Sequence, residues 1–126
     1  MKKILIIDDD KIFLKIFRDT FSKSYADKYE VVSAEDGEEG LLKVGEEHPD
    51  LIVLDIKMPK MDGLEFLRAL KEKNGESQTP VLISSNFSDN EKISEGLELG
   101  VKGYVVKSDY SLDGIIARIE DILGSS

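Results

Sequence analysis

The sequence contains no cysteine, which removes disulfide frameworks, thiolate nucleophiles and thiolate metal sites from consideration. It has no apolar run near the roughly 18 residues that a bilayer span requires. The opening MKKILIIDDD offers a basic pair but only four apolar positions before three acids, too short for a secretory signal. These absences make the cytoplasm the expected location. Histidine occurs once, and His48, beside Pro49 at a helix end, reads as a cap or surface residue and not as a ligand. Positive charge is scarce: 17 Lys and Arg stand against 26 Asp and Glu, a formal net charge of -9. Nucleic-acid binders gather positive charge, so no direct nucleic-acid contact is expected. The balance suits metal cations and basic patches on protein partners.

The chain has 126 residues, enough for one domain that buries roughly two-thirds of its unfolded surface. Apolar strand-like runs alternate with amphipathic helical ones. KILII (3–7) is followed by a helix with Ile12, Phe13, Ile16, Phe17 and Phe21 at helical spacing. EVVSA (30–34) is a second strand, and DGEEGLLKVGEEH (36–48) a helix weakened by Gly40 and Gly45. LIVL (51–54) is the third strand, and GLEFLRALKEK (63–73) a helix carrying Leu64, Leu67, Ala69 and Leu70. PVLIS (80–84) is a fourth strand, and NEKISEGLEL (90–99) a helix ended by Gly100. GYVV (103–106) and SLDGIIARIEDIL (111–123) complete the series, with Ser111 as N-cap. Five strand–helix repeats with short loops predict a parallel sheet covered on both faces. One domain over 1–126, with its core at 3–123, accounts for all of it, and the closing GSS reads as a frayed terminus.

Ligands of an open parallel sheet bind beyond the carboxyl ends of its strands. Strand one ends in Asp8-Asp9, strand three in Asp55, strand four in Ser84-Ser85 and strand five in Lys107. Each is ordinary alone, since acids and serines are common in turns. Together they bring polar groups from four elements to one edge. Converging carboxylates repel one another, and one would keep its proton unless a cation intervened. All-oxygen ligands with room for water suit Mg²⁺. Lys107 and a serine hydroxyl then add what a transferring phosphoryl group needs. A carboxylate can be the nucleophile, forming an acyl phosphate, and Asp55 is the candidate.

The blocks ILIIDDD, DIKMPKMDGLEFL, PVLISS and GYVVK resemble, in order and spacing, those of response-regulator receiver domains. These are the phosphoacceptor half of two-component signalling, chemotaxis regulators among them. The resemblance spans Lys3 to about Leu123. It implies a flavodoxin-like α/β fold, a five-stranded parallel sheet of order 2-1-3-4-5 flanked by five helices. It further implies that Asp55 is the phosphoacceptor, that Asp9 binds Mg²⁺ directly, and that Asp8 does so through water or hydrogen bonds. The Lys57 carbonyl would be a further ligand. Ser85, rather than Ser84, would hydrogen-bond the phosphoryl group, Lys107 would pair with it, and Tyr104 would be the aromatic switch residue. Asp10 reads as the N-cap of the first helix. The implied partners are a histidine kinase or phosphotransfer protein and a downstream protein target, met through the face of helix four, strand five and helix five. Ile93, Leu97 and Ile115 lie near that face or in the core.

The sequence departs from the family pattern at Ser108, where proline commonly follows the lysine, and at Asn86, where a small residue commonly follows the Ser/Thr. An additional residue lies between Lys107 and the last helix. A cis bond before serine costs about 2.5–4 kcal/mol, so the Lys107-Ser108 bond is expected trans. Lys57, Asn86 and Phe87 flank the path of the attacking water by resemblance, which predicts a long-lived phosphate. The domain would catalyse only its own phosphorylation and dephosphorylation and would not be a turnover enzyme. A phosphatase of the haloacid-dehalogenase type resembles Asp-x-Asp, but position 57 is lysine. A flavin carrier needs a phosphate-cradling loop after strand one, where this chain has DDDK. A phosphorylation-silent scaffold receiver is the other alternative. The length fits either a stand-alone receiver or a piece of a longer protein.

Overall fold

A computed structural model describes residues 1–74, 79–85, 90–107 and 112–124. The elements follow in strict alternation. They are β1 (Lys2–Ile7), α1 (Lys11–Ser24), β2 (Tyr29–Ala34), α2 (Gly37–Glu47), β3 (Leu51–Leu54), α3 (Gly63–Asn74), β4 (Val81–Ser85), α4 (Asn90–Glu98), β5 (Gly103–Val106) and α5 (Leu112–Leu123). The strands form one sheet in the order β2-β1-β3-β4-β5, all neighbours parallel.

The unbroken apolar runs of β1 and β3 follow from burial on both faces. Ile4, Ile6, Leu51, Val53, Leu82 and Val105 point into a core shared with α1 and α5. Leu5, Ile7, Ile52, Leu54, Val81 and Ile83 point into a second core under α2, α3 and α4. The blandest strand end, Ala34, lies on edge strand β2. In the central pair Ile7 stands beside Leu54, so the residues that follow each, Asp8 and Asp55, leave the sheet side by side.

Three details differ from the pattern read in the sequence. Ile12 and Ile16 are 73% and 51% exposed, and the inward stripe of α1 is Leu14, Phe17 and Phe21. Phe66 is fully buried in α3 and Ala69 only partly. Gly40 does not merely weaken α2, since a Cβ there would lie 2.6 Å from Ile7 Cδ1, so glycine lets the helix settle onto β1. His48 caps α2 at φ 49° and is exposed, its N–H donating to the Val44 carbonyl at 3.1 Å. The Ser111 cap lies outside the described residues. Among the described residues no helix is long and apolar enough to cross a membrane.

Candidate functional site

The turn after β1 is organised by its own acids. The Asp8 N–H continues the sheet ladder to the Ala34 carbonyl at 3.0 Å, and Asp8 Oδ1 accepts from the Asp10 N–H at 2.9 Å. Asp10 Oδ1 in turn accepts from the N–H groups of Ile12 and Phe13 at 3.0 and 3.1 Å, an N-cap that starts α1. Asp10 is thereby committed to the helix, as its place in the sequence suggested. Asp8 is buried, whereas Asp9 is exposed and faces an open cleft of about 390 Å³ lined also by Lys57, Met58, Asp62 and Lys92.

The stretch DIKMPKMDG (55–63) folds back on itself to hold Asp55. The Asp55 N–H donates to the Ile7 carbonyl at 3.0 Å. Beyond it, the Met61 N–H reaches the Pro59 carbonyl at 2.7 Å around Lys60, whose φ is 67°. The Gly63 N–H returns to the Ile56 carbonyl at 2.7 Å. A Cβ at position 63 would lie 2.5 Å from the Asp55 carbonyl oxygen and 2.8 Å from Ile56 Cα, which only glycine avoids. Asp62 then caps α3 reciprocally. Its carboxylate accepts from the Glu65 N–H at 2.9 Å, and Glu65 accepts from the Asp62 N–H at 3.2 Å. Proline, aspartate and glycine each serve one purpose here, the rigid presentation of Asp55.

Lys107 reaches the acids from β5. Its N–H donates to the Ser85 carbonyl at 2.7 Å, and its ammonium forms an ion pair with Asp8. Asp8, Asp9 and Asp55 can each offer one oxygen within 4.8 Å of the others. Burial pushes the Asp55 carboxyl up to about 7, the Asp8 charge adds to the shift, and Lys107 opposes it. Burial also raises Asp8, against the hydrogen bond from Lys107. The donor set fits a hard divalent cation, because burial disfavours the charge of these clustered carboxyls, a cation offsets that cost, and all their ligand atoms are oxygens.

Ser84 and Ser85 are both buried at the end of β4. Lys57 is exposed at the cleft, and Tyr104 is 43% exposed on β5. Ile93 and Ile115 are core residues, while Leu97 is exposed. Asn86, Phe87 and the Lys107-Ser108 bond, with its expected trans geometry, lie outside the described residues. Sequence reasoning counted Phe13 only among the apolar positions of α1. The structure sets the Lys107 ammonium 4.2 Å from the centre of its ring. It also adds Met58, Asp62 and Lys92 to the cleft. Helical periodicity registers Phe13 as core, and no local signal pairs it with the residue that follows β5.

The family model described as "Response regulator receiver domain" matches residues 4–120. Similar relatives include a probable transcriptional regulator, ycf27, of Porphyridium aerugineum, 39% identical over 97% of this chain and 48% of its own. Another is the alkaline phosphatase synthesis transcriptional regulatory protein PhoP of Bacillus subtilis, 36% identical over 99% of this chain and 50% of its own. The chain thus spans about half the length of these relatives. Among solved structures, the chemotaxis response regulator CheY4 of Vibrio cholerae superposes with a TM-score of 0.84 at 30% identity, covering 97% of this chain and 98% of the other. A CheY-like receiver domain from Methanospirillum hungatei gives 0.85 at 28% identity, covering 99% and 95%.

Proposed function

The chain belongs to the response regulator receiver domain family, and we propose that it accepts a phosphoryl group on Asp55 from a phosphohistidine donor in a Mg²⁺-dependent step. The observation that carries this reading is the buried Asp8–Asp55 pair, with Asp9 at its mouth and the Lys107 ammonium against it. An ionised Asp55 oxygen attacks phosphorus. The new O–P bond forms as the donor's P–N bond breaks, and the bonding pair leaves on the imidazole nitrogen. Attack needs the unprotonated carboxylate, so positive charge beside Asp55 favours the reactive form. Asp8, Asp9, Asp55 and the Lys57 carbonyl would hold the metal, which supplies charge neutralisation for the phosphoryl oxygens. Lys107 contributes a second positive charge, and Ser85 a hydroxyl for the transferred group. The domain acts as a phosphoacceptor that catalyses its own modification and its reversal.

The donor is a histidine kinase or phosphotransfer protein. Ile12 and Ile16 stand exposed on α1 just beyond Asp10, an apolar surface beside the acid cluster on which such a partner can rest. Output runs through α4, β5 and α5. Once phosphorylated, Asp55 draws Ser85 and Lys107, and the Tyr104 ring moves inward for a downstream protein. The protein works in the cytoplasm, and these 126 residues make no direct nucleic-acid contact. The transcriptional role of the relatives belongs to chains about twice as long.

Incubation with a small phosphodonor, with and without Mg²⁺, tests the reading. Acid-stable, base-labile phosphate should appear stoichiometrically only with the metal. Asp55→Asn should abolish it, and Asp9→Ala should weaken Mg²⁺ binding strongly. Undiminished labelling of Asp55→Asn would overturn the assignment.

A further inference from the structure

We propose that Phe13 is a positioning residue of this site, its ring holding the Lys107 ammonium among the carboxylates; the inference rests on Asp55 being the phosphoacceptor. Lysine carries its charge on a flexible four-carbon stem with a large rotamer entropy. A lysine that must meet a phosphoryl group gains from being held beforehand. The base of the Lys107 stem is fixed by its N–H bond to the Ser85 carbonyl, 2.7 Å. Its tip is buried, the side chain only 8% exposed, between the Asp8 carboxylate and the Phe13 ring.

The ammonium lies 4.2 Å from the ring centroid, inside the roughly 6 Å over which an aromatic face attracts a cation. The ring itself has little freedom. The Phe13 N–H is tied to the Asp10 cap at 3.1 Å. Its ring packs against Phe17 at 6.0 Å and 45°, and Phe17 against Phe21 at 4.7 Å. This aromatic column runs down α1 into the core and leaves the uppermost face for Lys107. A leucine at position 13 would fill similar space but present no negative face.

Two measurements test this. In metal-free, unphosphorylated protein, the Lys107 ε-methylene protons should resonate upfield of ordinary lysines through the ring current of Phe13. Phe13→Leu should abolish that shift. Separately, the initial rate of Asp55 labelling by a small phosphodonor at saturating Mg²⁺ should fall as position 13 carries phenylalanines of increasing ring fluorination. Such rings keep their shape while losing their negative face. The fall should reach roughly thirty-fold, the scale of a desolvated cation–π contact, and Phe13→Tyr should keep the wild-type rate. An unshifted Lys107 resonance in the wild-type protein, or a rate unchanged along the series, would overturn the proposal. If Phe13→Leu misfolds, the near-isosteric fluorinated series still decides. Failure of the wild-type protein to label at all would instead count against Asp55 as phosphoacceptor, and the metal-free resonance would still report on Phe13.

Discussion

Burial lifts the Asp55 carboxyl to about 7, and the sign of the resulting pH dependence is fixed. Below about pH 4 the group is protonated folded and unfolded alike, so its protonation costs nothing. Between about 4 and 7 the unfolded chain ionises it while the folded protein holds the proton, so stability is lost as pH rises through that window. Asp8, also raised, adds in the same direction. Urea unfolding without divalent cations should therefore show declining stability from pH 4 to 7, and Asp55→Asn should make the decline shallower. An identical slope in the variant would place its origin elsewhere. Ser84 invites a second test. It is buried, and among the described residues its hydroxyl has no hydrogen-bond partner. An unsatisfied buried hydroxyl is costly, so Ser84→Ala should stabilise the fold by about 1 kcal/mol. A loss of that size would mean the hydroxyl is satisfied in solution. The acids and Lys107 were legible in sequence because each ends a strand, and topology brings strand ends together. Phe13 was not, since its meeting with Lys107 depends on the path of a side chain across the sheet face.

The glycines separate what elements need from what they tolerate. Gly63 faces the Asp55 carbonyl and Ile56 Cα at distances no Cβ can adopt, whereas a Cβ at Gly45 would meet nothing within 4 Å. Gly63→Ala should destabilise by about 1–3 kcal/mol, as overpacking does, while Gly45→Ala should stabilise α2 by up to about 1 kcal/mol. Equal effects in thermal unfolding would contradict the close return of the loop onto β3. In the sequence Gly45 read as weakening a helix and Gly63 only as the start of one, because a helical pattern records composition and not the proximity of another backbone. The same limit explains α1. Ile12, Phe13, Leu14, Ile16 and Phe17 wrap so much of the helix that periodicity leaves its phase open, and packing turns Leu14 inward and Ile12 outward. On the proposed output face, Tyr104 is exposed on β5 and Leu97 on α4. Binding of a phosphate analogue at Asp55 should move backbone amide resonances across residues 90–107. Shifts confined to the acid cluster would sever the proposed switch from phosphorylation.

Taken whole, the molecule is a two-faced parallel sheet whose register sets Ile7 beside Leu54, and so delivers two buried acids to one place. The alternation of strands and helices made the layers readable from the sequence. The order β2-β1-β3-β4-β5 followed only from resemblance, since periodicity does not say which strands are neighbours. A net charge of -9 concentrates cations around the protein, and a divalent ion that binds only the folded site should stabilise it by mass action. All of this converges on the chemistry of a single carboxylate. Its most direct test is to phosphorylate the protein with a small donor and Mg²⁺, reduce the acyl phosphate with borohydride, and map the product by peptide mass spectrometry. The account predicts reduction to homoserine at Asp55 alone, whereas reduction at Asp8 or Asp9, or at no residue, would contradict it.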